Sequence, residues 1–291
     1  MNRKQKIQSA VRILRSRFTS KRIPVAVRWN LLHRCPSRCA YCNLWRTPAE
    51  EMTFEEIRPL LGQLARLGTT QISFSGGEPL LREDIGEIVE ETARVGISPT
   101  MNSSGFGLKK RLASLGRLDQ LKISLDGPEE IHDQVRNRPG AFKTALEAAE
   151  LGSENLRRIS FATTITRYNV HNLDFMLRMA ERFATTTAFQ PLKTLYRGVR
   201  DEEQPVPAAD DYRRAVDLLI TEKRRGNRHI RNSMAELERM RHWPDYPPLT
   251  CGAGRIFVMI DPDGTLRRVY PAVKPKGHAA TVLADCREIW G

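Results

Sequence analysis

The chain has 291 residues, of which 40% are hydrophobic and 28% are charged, and its formal net charge is +13. This composition is ordinary for a folded globular protein. No apolar run approaches the ~18 residues that a membrane-spanning helix needs, and the N-terminal stretch lacks the apolar core and cleavage site of a secretory signal. The five cysteines are an odd number, so they favour reduced thiols over a disulfide framework. We therefore expect a cytoplasmic protein.

Positive charge is concentrated at the N-terminus, where residues 1–28 contain nine Lys or Arg and no acid. Four apolar residues recur there at helical spacing: Ile7, Val11, Leu14 and Phe18. The pattern predicts a basic amphipathic helix over 1–22. We expect its apolar stripe to pack on the body of the protein, and the alternative is peripheral contact with an anionic membrane surface. The remaining excess of charge is modest, so nucleic acid is not an expected partner.

Beyond residue 22, strand-like and helix-like segments alternate, which predicts a parallel sheet of βα units. The first helix has the clearest signals, with Thr53 as its cap, Glu56 three residues later and Gly68 at its end. About six units predict an α/β fold, an open partial (β/α)6 TIM-like barrel over 23–226. The predicted strands are 23–32, 71–77, 98–105, 120–127, 158–166 and 187–192, and the predicted helices are 53–68, 82–96, 141–152, 172–184 and 212–226.

The C-terminal part of the sequence has a different pattern. The segment 202–211 is rich in proline and acidic residues, which is typical of a joint between two units. Further on, "DPDG" at 261–264 stands between two apolar runs and predicts a β-hairpin. We interpret 227–291 as a small appended module that contains β structure.

Three of the cysteines, Cys35, Cys39 and Cys42, lie together in "CPSRCAYC". A structural zinc ion takes four protein ligands, and His33 is available as a fourth. A 4Fe–4S cluster can instead be held at three of its irons by three thiolates. The fourth iron is then open to a ligand that carries an amine and a carboxylate. The spacing C-x3-C-x2-C favours the cluster, with zinc or a chance loop as the alternatives.

The cysteine loop is followed in order by "SFSGGEP", "NSSG" and "SLDG". Together these motifs resemble the radical SAM superfamily, nearest to its branch with a C-terminal SPASM or Twitch extension. The resemblance covers 24–195 strongly and 251–290 weakly. It implies a partial TIM barrel, one 4Fe–4S cluster on the three cysteines, and S-adenosylmethionine (SAM) on the open iron. It also implies an external reductant, such as flavodoxin or ferredoxin, and a 5′-deoxyadenosyl radical that abstracts hydrogen from the substrate.

Carried onto this sequence, the resemblance implies a SAM site at the ends of the strands. Gly76 and Gly77 are expected to let the backbone approach a ligand closely, and Glu78 to accept a hydrogen bond from the methionine ammonium. Tyr41 is expected beside the adenine, and Arg136 on the methionine carboxylate. No catalytic residue is assigned. The remaining expected SAM contacts are Asn102, Ser103, Ser124, Asp126 and Gln190, and Thr164 is expected near the adenine or the substrate.

The C-terminal module departs from the family pattern. Cys251 is retained, but Ala272 stands where family members tend to have a cysteine ligand, and the surroundings of Cys286 resemble no ligand site. Two separated cysteines do not hold a further cubane in the usual way. We expect a degenerate SPASM or Twitch module that has lost its auxiliary cluster and covers the substrate side as a lid.

The expected substrate is a small molecule from cofactor or natural-product biosynthesis. The ~23 residues ahead of the first strand are too few for a leader-binding domain, which disfavours a ribosomal peptide. A lipid-linked or ribosomal-peptide substrate is the alternative within the same chemistry. A non-enzymatic iron–sulfur sensor or electron carrier that uses the same three cysteines is the alternative from another class.

Overall fold

The computed structural model of the protein describes residues 7, 9–14, 23–192, 195–196, 199–200, 204–244 and 256–267. The strands are β1 Ala26–Asn30, β2 Gln71–Ser75, β3 Ser98–Ser103, β4 Gln120–Ser124, β5 Ile159–Ile165, β6 Thr187–Pro191, β7 Leu195–Tyr196, β8 Val199–Arg200, β9 Phe257–Ile260 and β10 Leu266–Arg267.

One curled sheet has the order β10-β9-β1-β2-β3-β4-β5-β6, and β7 pairs with β8 separately. From β9 to β6 the seven described strands of this sheet run parallel, and β10 runs antiparallel to β9. The sheet forms a half-barrel, which confirms the predicted open TIM-like architecture. The seventh parallel strand, β9, comes from the predicted hairpin and lies outside the six βα units. Parallel strands have their carboxyl ends at one edge, where such barrels carry their sites.

The helices lie between the strands in the predicted alternation. Three of these helices are not among the predicted ones, because each is short and its charged residues obscure the apolar spacing: Leu108–Arg111, Glu129–Arg136 and Met234–Met240. Residues 9–14 are also helical, within the predicted N-terminal helix. The other described helices are Phe54–Leu67, Ile85–Arg94, Leu108–Arg111, Glu129–Arg136, Ala141–Asn155, Leu173–Arg182, Ala209–Arg224 and Met234–Met240.

The first of these helices begins and ends as its sequence predicts. The Thr53 N–H donates to Glu56 Oε2 (2.7 Å), and the Glu56 N–H donates to Thr53 Oγ1 (3.4 Å), which completes the capping box. At the other end Gly68 adopts φ +99°, in the left-handed region that glycine tolerates. Local sequence signals therefore fix the limits of this helix.

The two faces of the sheet differ in polarity. Val27, Trp29, Ile72 and Phe74 point to the convex side, where they are at most 1% exposed and belong to one hydrophobic core with side chains of the surrounding helices, such as Leu61. The alternate positions of the same strands face the concave side and are polar at several places. The hydrophobic effect thus holds the helices on the outside and leaves the inside of the half-barrel for a site.

The N-terminal segment lies on the body with a face other than the predicted one. The Arg12 guanidinium donates to the Gly68 carbonyl oxygen (2.6 Å), and Ser9 Oγ hydrogen-bonds with Thr70 Oγ1 (2.7 Å). The prediction that the apolar stripe packs on the body is therefore wrong for the described part, because polar contacts turn that stripe outward. Phe18 lies outside the described residues. The exposed members of the stripe are Ile7 (56%), Val11 (46%) and Leu14 (56%).

The C-terminal hairpin forms where "DPDG" predicts it, with Gly264 at φ +80° in its turn. Its strand β9 adds to the sheet beside β1. Cys251, Ala272 and Cys286 lie outside the described residues, and the organisation of 227–291 as an appended module stays a prediction. No helix in the described ranges is long and apolar enough to cross a bilayer.

Candidate active site

The three cysteines lie in the loop that follows the carboxyl end of β1. Cys35, Cys39 and Cys42 are free thiols and partly exposed. Burial is the main cause that raises the pKa of Cys35 to about 12, and it also raises the pKa of Cys42. Neighbouring sulfurs add to both shifts, so the three groups lie within electrostatic range of one another. Thiolates are the metal ligands, so binding of a metal at this loop releases protons.

This donor set fits a cluster better than a single ion. Within the described residues no group of three or more His, Cys, Asp or Glu side chains is arranged to hold one metal ion. In a cubane each thiolate binds a different iron, so the sulfurs stay farther apart than the ligands of one zinc ion. His33, the candidate fourth zinc ligand, is buried, its Nδ1 donates to the Thr47 carbonyl oxygen (2.9 Å), and its Nε2 has no hydrogen-bond partner among the described residues, but it forms no such group with the cysteines. These observations favour the cluster.

The turn after β2 packs against the cysteine loop through its main chain. The Gly77 N–H donates to the Leu32 carbonyl oxygen (2.8 Å), and the Glu78 N–H donates to the Arg34 carbonyl oxygen (2.9 Å). A Cβ on Gly76 would lie 2.2 Å from the Leu32 oxygen, and one on Gly77 would lie 2.0 Å from the Arg34 oxygen. Glycine is therefore required for contact between two stretches of backbone. The predicted approach of these glycines to SAM stays a prediction.

The C-terminal end of the helix Glu129–Arg136 holds the opposite side of the cysteine loop. The Arg38 N–H donates to the Arg136 carbonyl oxygen (3.2 Å), and the Ala40 N–H donates to the Val135 carbonyl oxygen (2.9 Å). The last carbonyl groups of a helix have no partner inside the helix, so the loop provides one. The stretch that carries the cysteines is thereby fixed from two sides.

Glu78 links the ends of β2 and β3. It is 1% exposed, and its Oε1 accepts from Ser103 Oγ (2.7 Å) and the Leu80 N–H (3.3 Å). Its Oε2 accepts from the N–H (2.8 Å) and Oγ (2.5 Å) of Ser104. Burial raises the pKa of Glu78 although these hydrogen bonds oppose it. The predicted bond from the methionine ammonium would therefore reach a carboxylate whose roughly four acceptor positions already have partners.

The guanidinium of Arg136 is buried among three groups. Its Nη2 lies 2.6 Å from Asp126 Oδ2, its Nη1 donates to Cys39 Sγ (3.8 Å), and its Cζ lies 5.6 Å from the centre of the Tyr41 ring. Burial opposes the charge, but Asp126, Tyr41 and Cys39 outweigh it and raise the pKa of Arg136. This side chain is expected from the sequence on the SAM carboxylate, and it lies in the structure between Asp126 and a cysteine sulfur.

Asp126 is fully buried just beyond the end of β4. Its Oδ1 accepts from the Thr164 N–H (3.0 Å), and its own N–H donates to His132 Nδ1 (3.0 Å). Burial, with a contribution from Arg136, lowers the pKa of His132 to about 2, so the ring is neutral and accepts this bond. His132 therefore positions the turn that carries Asp126.

The other expected SAM contacts lie along the rim of the half-barrel. Tyr41 and Gln190 both hydrogen-bond with Thr164, the latter through Nε2 at 3.0 Å. Asn102 donates to Ser73 Oγ (3.0 Å) on the neighbouring strand. Ser124 is the last residue of β4 and is partly exposed. The structure thus joins Tyr41, Gln190, Asp126 and Arg136 through Thr164, and it joins Glu78 to Ser103 in a separate network.

Sequence reasoning did not find two cations on the concave face, Arg28 of β1 and Lys122 of β4. In the sequence, Arg28 is one of the nine basic residues of 1–28. The sequence feature that could have indicated the two cations is a charged residue between two apolar residues of a strand, as in AVRWN and QLKIS. Such a residue faces the side of the sheet opposite to its apolar neighbours.

A half-barrel of parallel strands with polar and thiol groups at the carboxyl ends is an enzyme architecture. The chain belongs to the Radical SAM superfamily, whose family model matches residues 29–180. Members of this superfamily bind a 4Fe–4S cluster and SAM, which agrees with the donor set described above.

Individual relatives extend the likeness over most of the chain. Mycofactocin maturase MftC of Mycolicibacterium smegmatis is 27% identical over 271 residues, which are 90% of this chain and 68% of that protein. PqqA peptide cyclase of Bradyrhizobium diazoefficiens is 33% identical over 168 residues, 54% of this chain and 43% of that protein. The crystal structure of Streptococcus suis SuiB bound to S-adenosylmethionine has a TM-score of 0.69 at 13% identity and covers 97% of this chain and 69% of that one. The last likeness shows the shared fold.

The contact between the glycine turn and the cysteine loop predicts the effect of one methyl group. Gly77→Ala places a Cβ against the Arg34 carbonyl, and we expect a loss of about 1–3 kcal/mol in the free energy of unfolding with reduced iron uptake. Gly116→Ala is the matched control, because no heavy atom lies within 4 Å of its added Cβ. Chemical denaturation and iron analysis measure both effects, and equal behaviour of the two variants would contradict the role given to this contact.

The buried pair of Arg136 and Asp126 predicts a large effect on stability. Arg136→Met leaves a carboxylate buried without its partner, and we expect a cost of about 3–5 kcal/mol in the free energy of unfolding. The control is Arg178→Met, which removes an exposed ion pair with Asp174 and should cost less than about 1 kcal/mol. Urea denaturation compares the two. A cost for Arg136→Met as small as that of the control would show that the pair does not hold the loop.

Proposed function

We propose that this protein cleaves SAM reductively at a single 4Fe–4S cluster held by Cys35, Cys39 and Cys42. The observation that carries the proposal is the three-cysteine loop, fixed by main-chain bonds at the carboxyl end of β1 and unsuited to a single ion. When bound, the cluster supplies the electron that splits SAM into methionine and the 5′-deoxyadenosyl radical, which abstracts hydrogen from the substrate. An external reductant, such as flavodoxin or ferredoxin, delivers that electron in this proposal.

The residues of the rim have two kinds of role in this proposal. Tyr41, Asn102, Ser124 and Gln190 contact SAM directly. Support comes from their incomplete burial, in the cysteine loop for Tyr41 and near the strand ends for the other three. Arg136 acts beside them by holding the cysteine loop and by placing positive charge next to a thiolate. The residues that shape the site around SAM are Gly76, Gly77, Glu78, Ser103 and Asp126, whose burial and contacts support this role.

We propose a peptide as the substrate. Support comes from the 33% identity to a protein named for the cyclisation of a peptide, PqqA. This choice replaces the order given by the sequence analysis, in which a small molecule comes first and a peptide second. The concave face of the half-barrel, open between β6 and β10 within the described sheet, offers a path along which a peptide reaches the rim.

The C-terminal part is proposed to be a SPASM or Twitch remnant over 227–291. Its support is the hairpin of β9 and β10, and the retained Cys251 and missing ligand at Ala272 in the sequence. The proposal includes loss of the auxiliary cluster and a role as a lid over the substrate. The amphipathic segment 1–22 is proposed as a site of peripheral membrane contact, supported by its exposed Ile7, Val11 and Leu14.

The proposed chemistry predicts the behaviour of the cysteine variants. Anaerobically reconstituted protein with dithionite and SAM should form 5′-deoxyadenosine, and Cys35→Ala, Cys39→Ala or Cys42→Ala should abolish it because each removes an iron ligand. Cys286→Ala is the control and should keep both iron and activity. The wild type should bind about four irons, one cubane. About eight irons would contradict loss of the auxiliary cluster, and iron without 5′-deoxyadenosine would favour an electron carrier.

The substrate proposal predicts where the abstracted hydrogen comes from. Deuterium in a labelled precursor peptide should appear in 5′-deoxyadenosine, because the radical forms at the rim where the peptide is expected to lie. Mass spectrometry of the nucleoside measures the transfer. The control is the same peptide with the label at a residue that stays unmodified. Transfer from a labelled small molecule, with none from any peptide, would restore the alternative from the sequence analysis.

A further inference from the structure

A row of polar residues crosses the concave face of the half-barrel. The strands β1 to β5 contribute one residue each, and we call the set the lumen row: Arg28, Ser73, Asn102, Lys122 and Ser160. Strand pairing sets Arg28 beside Ser73, Asn102 beside Lys122, and Lys122 beside Ser160. A hydrogen bond from Asn102 Nδ2 to Ser73 Oγ (3.0 Å) joins the two halves of the row. The row therefore has a cation near each end and neutral hydrogen-bonding groups between them.

The two cations of the lumen row have no acidic partner among the residues that the structure describes. No ion pair within the described ranges joins Arg28 or Lys122 to a carboxylate. Arg28 Nη2 donates to Ser75 Oγ (3.0 Å), while its Nε is shielded from solvent without a partner. Asp261, which follows β9, accepts a hydrogen bond from Asn30 (3.2 Å). The charge of the row is thus left uncompensated by the protein groups beside it.

Burial disfavours the charged form of both cations. It is the main cause that lowers the pKa of Lys122 to about 8, and the charges of Arg231 and Arg28 add to the shift. Burial also lowers the pKa of Arg28, with partial opposition from Cys42. Because these charges affect one another's pKa, Arg28 lies within electrostatic range of Lys122 on one side and of the Cys42 sulfur on the other. The row lies next to the cluster loop.

Unpaired charges in a partly dry site are costly to a folded protein, and they are rarely buried without a partner. An anion placed between these groups would relieve that cost, since the arginine offers a planar fork and the lysine a point charge. Both residues stand two positions before the ends of their strands, so their Cα atoms lie about 7 Å below the rim at a rise of about 3.3 Å per residue. That depth is beneath Ser124, the expected SAM contact at the end of β4, whereas Asn102, another expected SAM contact, lies level with Lys122. The Arg28 guanidinium reaches up from there to Ser75, the last residue of β2.

We propose that Arg28 and Lys122 bind an anionic group of the substrate, a carboxylate or a phosphate, inside the half-barrel. The amide of Asn102 and the hydroxyl of Ser73 supply neutral hydrogen bonds to the same group. The anchored anion holds the substrate from below and directs its remaining part toward the rim, where hydrogen is abstracted. The inference rests on the proposed function and names the substrate class for that site.

The experiment measures the Tm of the reconstituted protein in sodium chloride, sodium propionate and sodium phosphate at equal ionic strength. Wild type should be stabilised by propionate, by phosphate or by both relative to chloride, and the effective anion identifies the group. Lys122→Met should lose this stabilisation, and its Tm in chloride should exceed that of the wild type by at least about 2 °C because the uncompensated charge is gone. Lys109→Met is the control, since Lys109 is exposed on an outer helix, and it should respond as the wild type does.

Equal responses of the wild type and Lys122→Met would overturn the inference, and so would a Tm for Lys122→Met below that of the wild type in chloride. The inference would also be overturned if Lys122→Met bound SAM more weakly and this weaker binding accounted for the lost anion effect. Arg28 and Lys122 would then be assigned to the SAM carboxylate. If Lys122→Met fails to fold, Arg28→Met is measured in the same way. Formation of 5′-deoxyadenosine by the wild type tests the proposed function separately: its absence beside an intact anion effect refutes that function alone.

Discussion

The main-chain contact between the cysteine loop and the turn at Gly76 and Gly77 is the constraint on which the site depends. The loop has no strand or helix between β1 and the short turn Leu44–Arg46, so its shape comes from its neighbours. Backbone carbonyls of the loop lie where any Cβ of the turn would stand, and the end of the helix Glu129–Arg136 bonds to the other side. The positions of the three cysteines are thereby fixed by the sheet and its helices. A loop held in this way is preorganised for its ligand, which reduces the ordering cost of binding.

The cations inside the half-barrel differ in whether an acidic residue is paired with them. Arg136 is neutralised by Asp126 in a buried pair, so its charge serves to hold the loop and to stand beside a cysteine sulfur. Arg28 and Lys122 belong to the strands themselves and repel one another, with no acid of the described residues paired to either. A compensated charge contributes to one defined geometry, whereas an uncompensated one creates a potential that attracts an anion. Arg136 thus stabilises the structure, whereas Arg28 and Lys122 are the cations proposed to bind the ligand.

The sequence predicts those elements whose signals are local. The capping box of Thr53 and Glu56, the hairpin at "DPDG" and the alternation of strands and helices are all confirmed. The helix Glu129–Arg136 was not predicted, since two of its three buried residues are His132 and Arg136 and the usual apolar stripe is absent. The N-terminal stripe predicts a helix but not the face that packs, because hydrogen bonds of Arg12 to the body decide that.

The sequence by itself determined the superfamily and predicted the three cysteines as cluster ligands, because both depend on short motifs whose residues lie close together in the chain. The tertiary structure decided the partners of the polar groups. Glu78 bonds to Ser103, 25 positions away, and Lys122 comes to share a face with Arg28 because β1 and β4 belong to one curled sheet. Such partnerships depend on strand register and curvature, which arise only when the whole sheet packs against its helices.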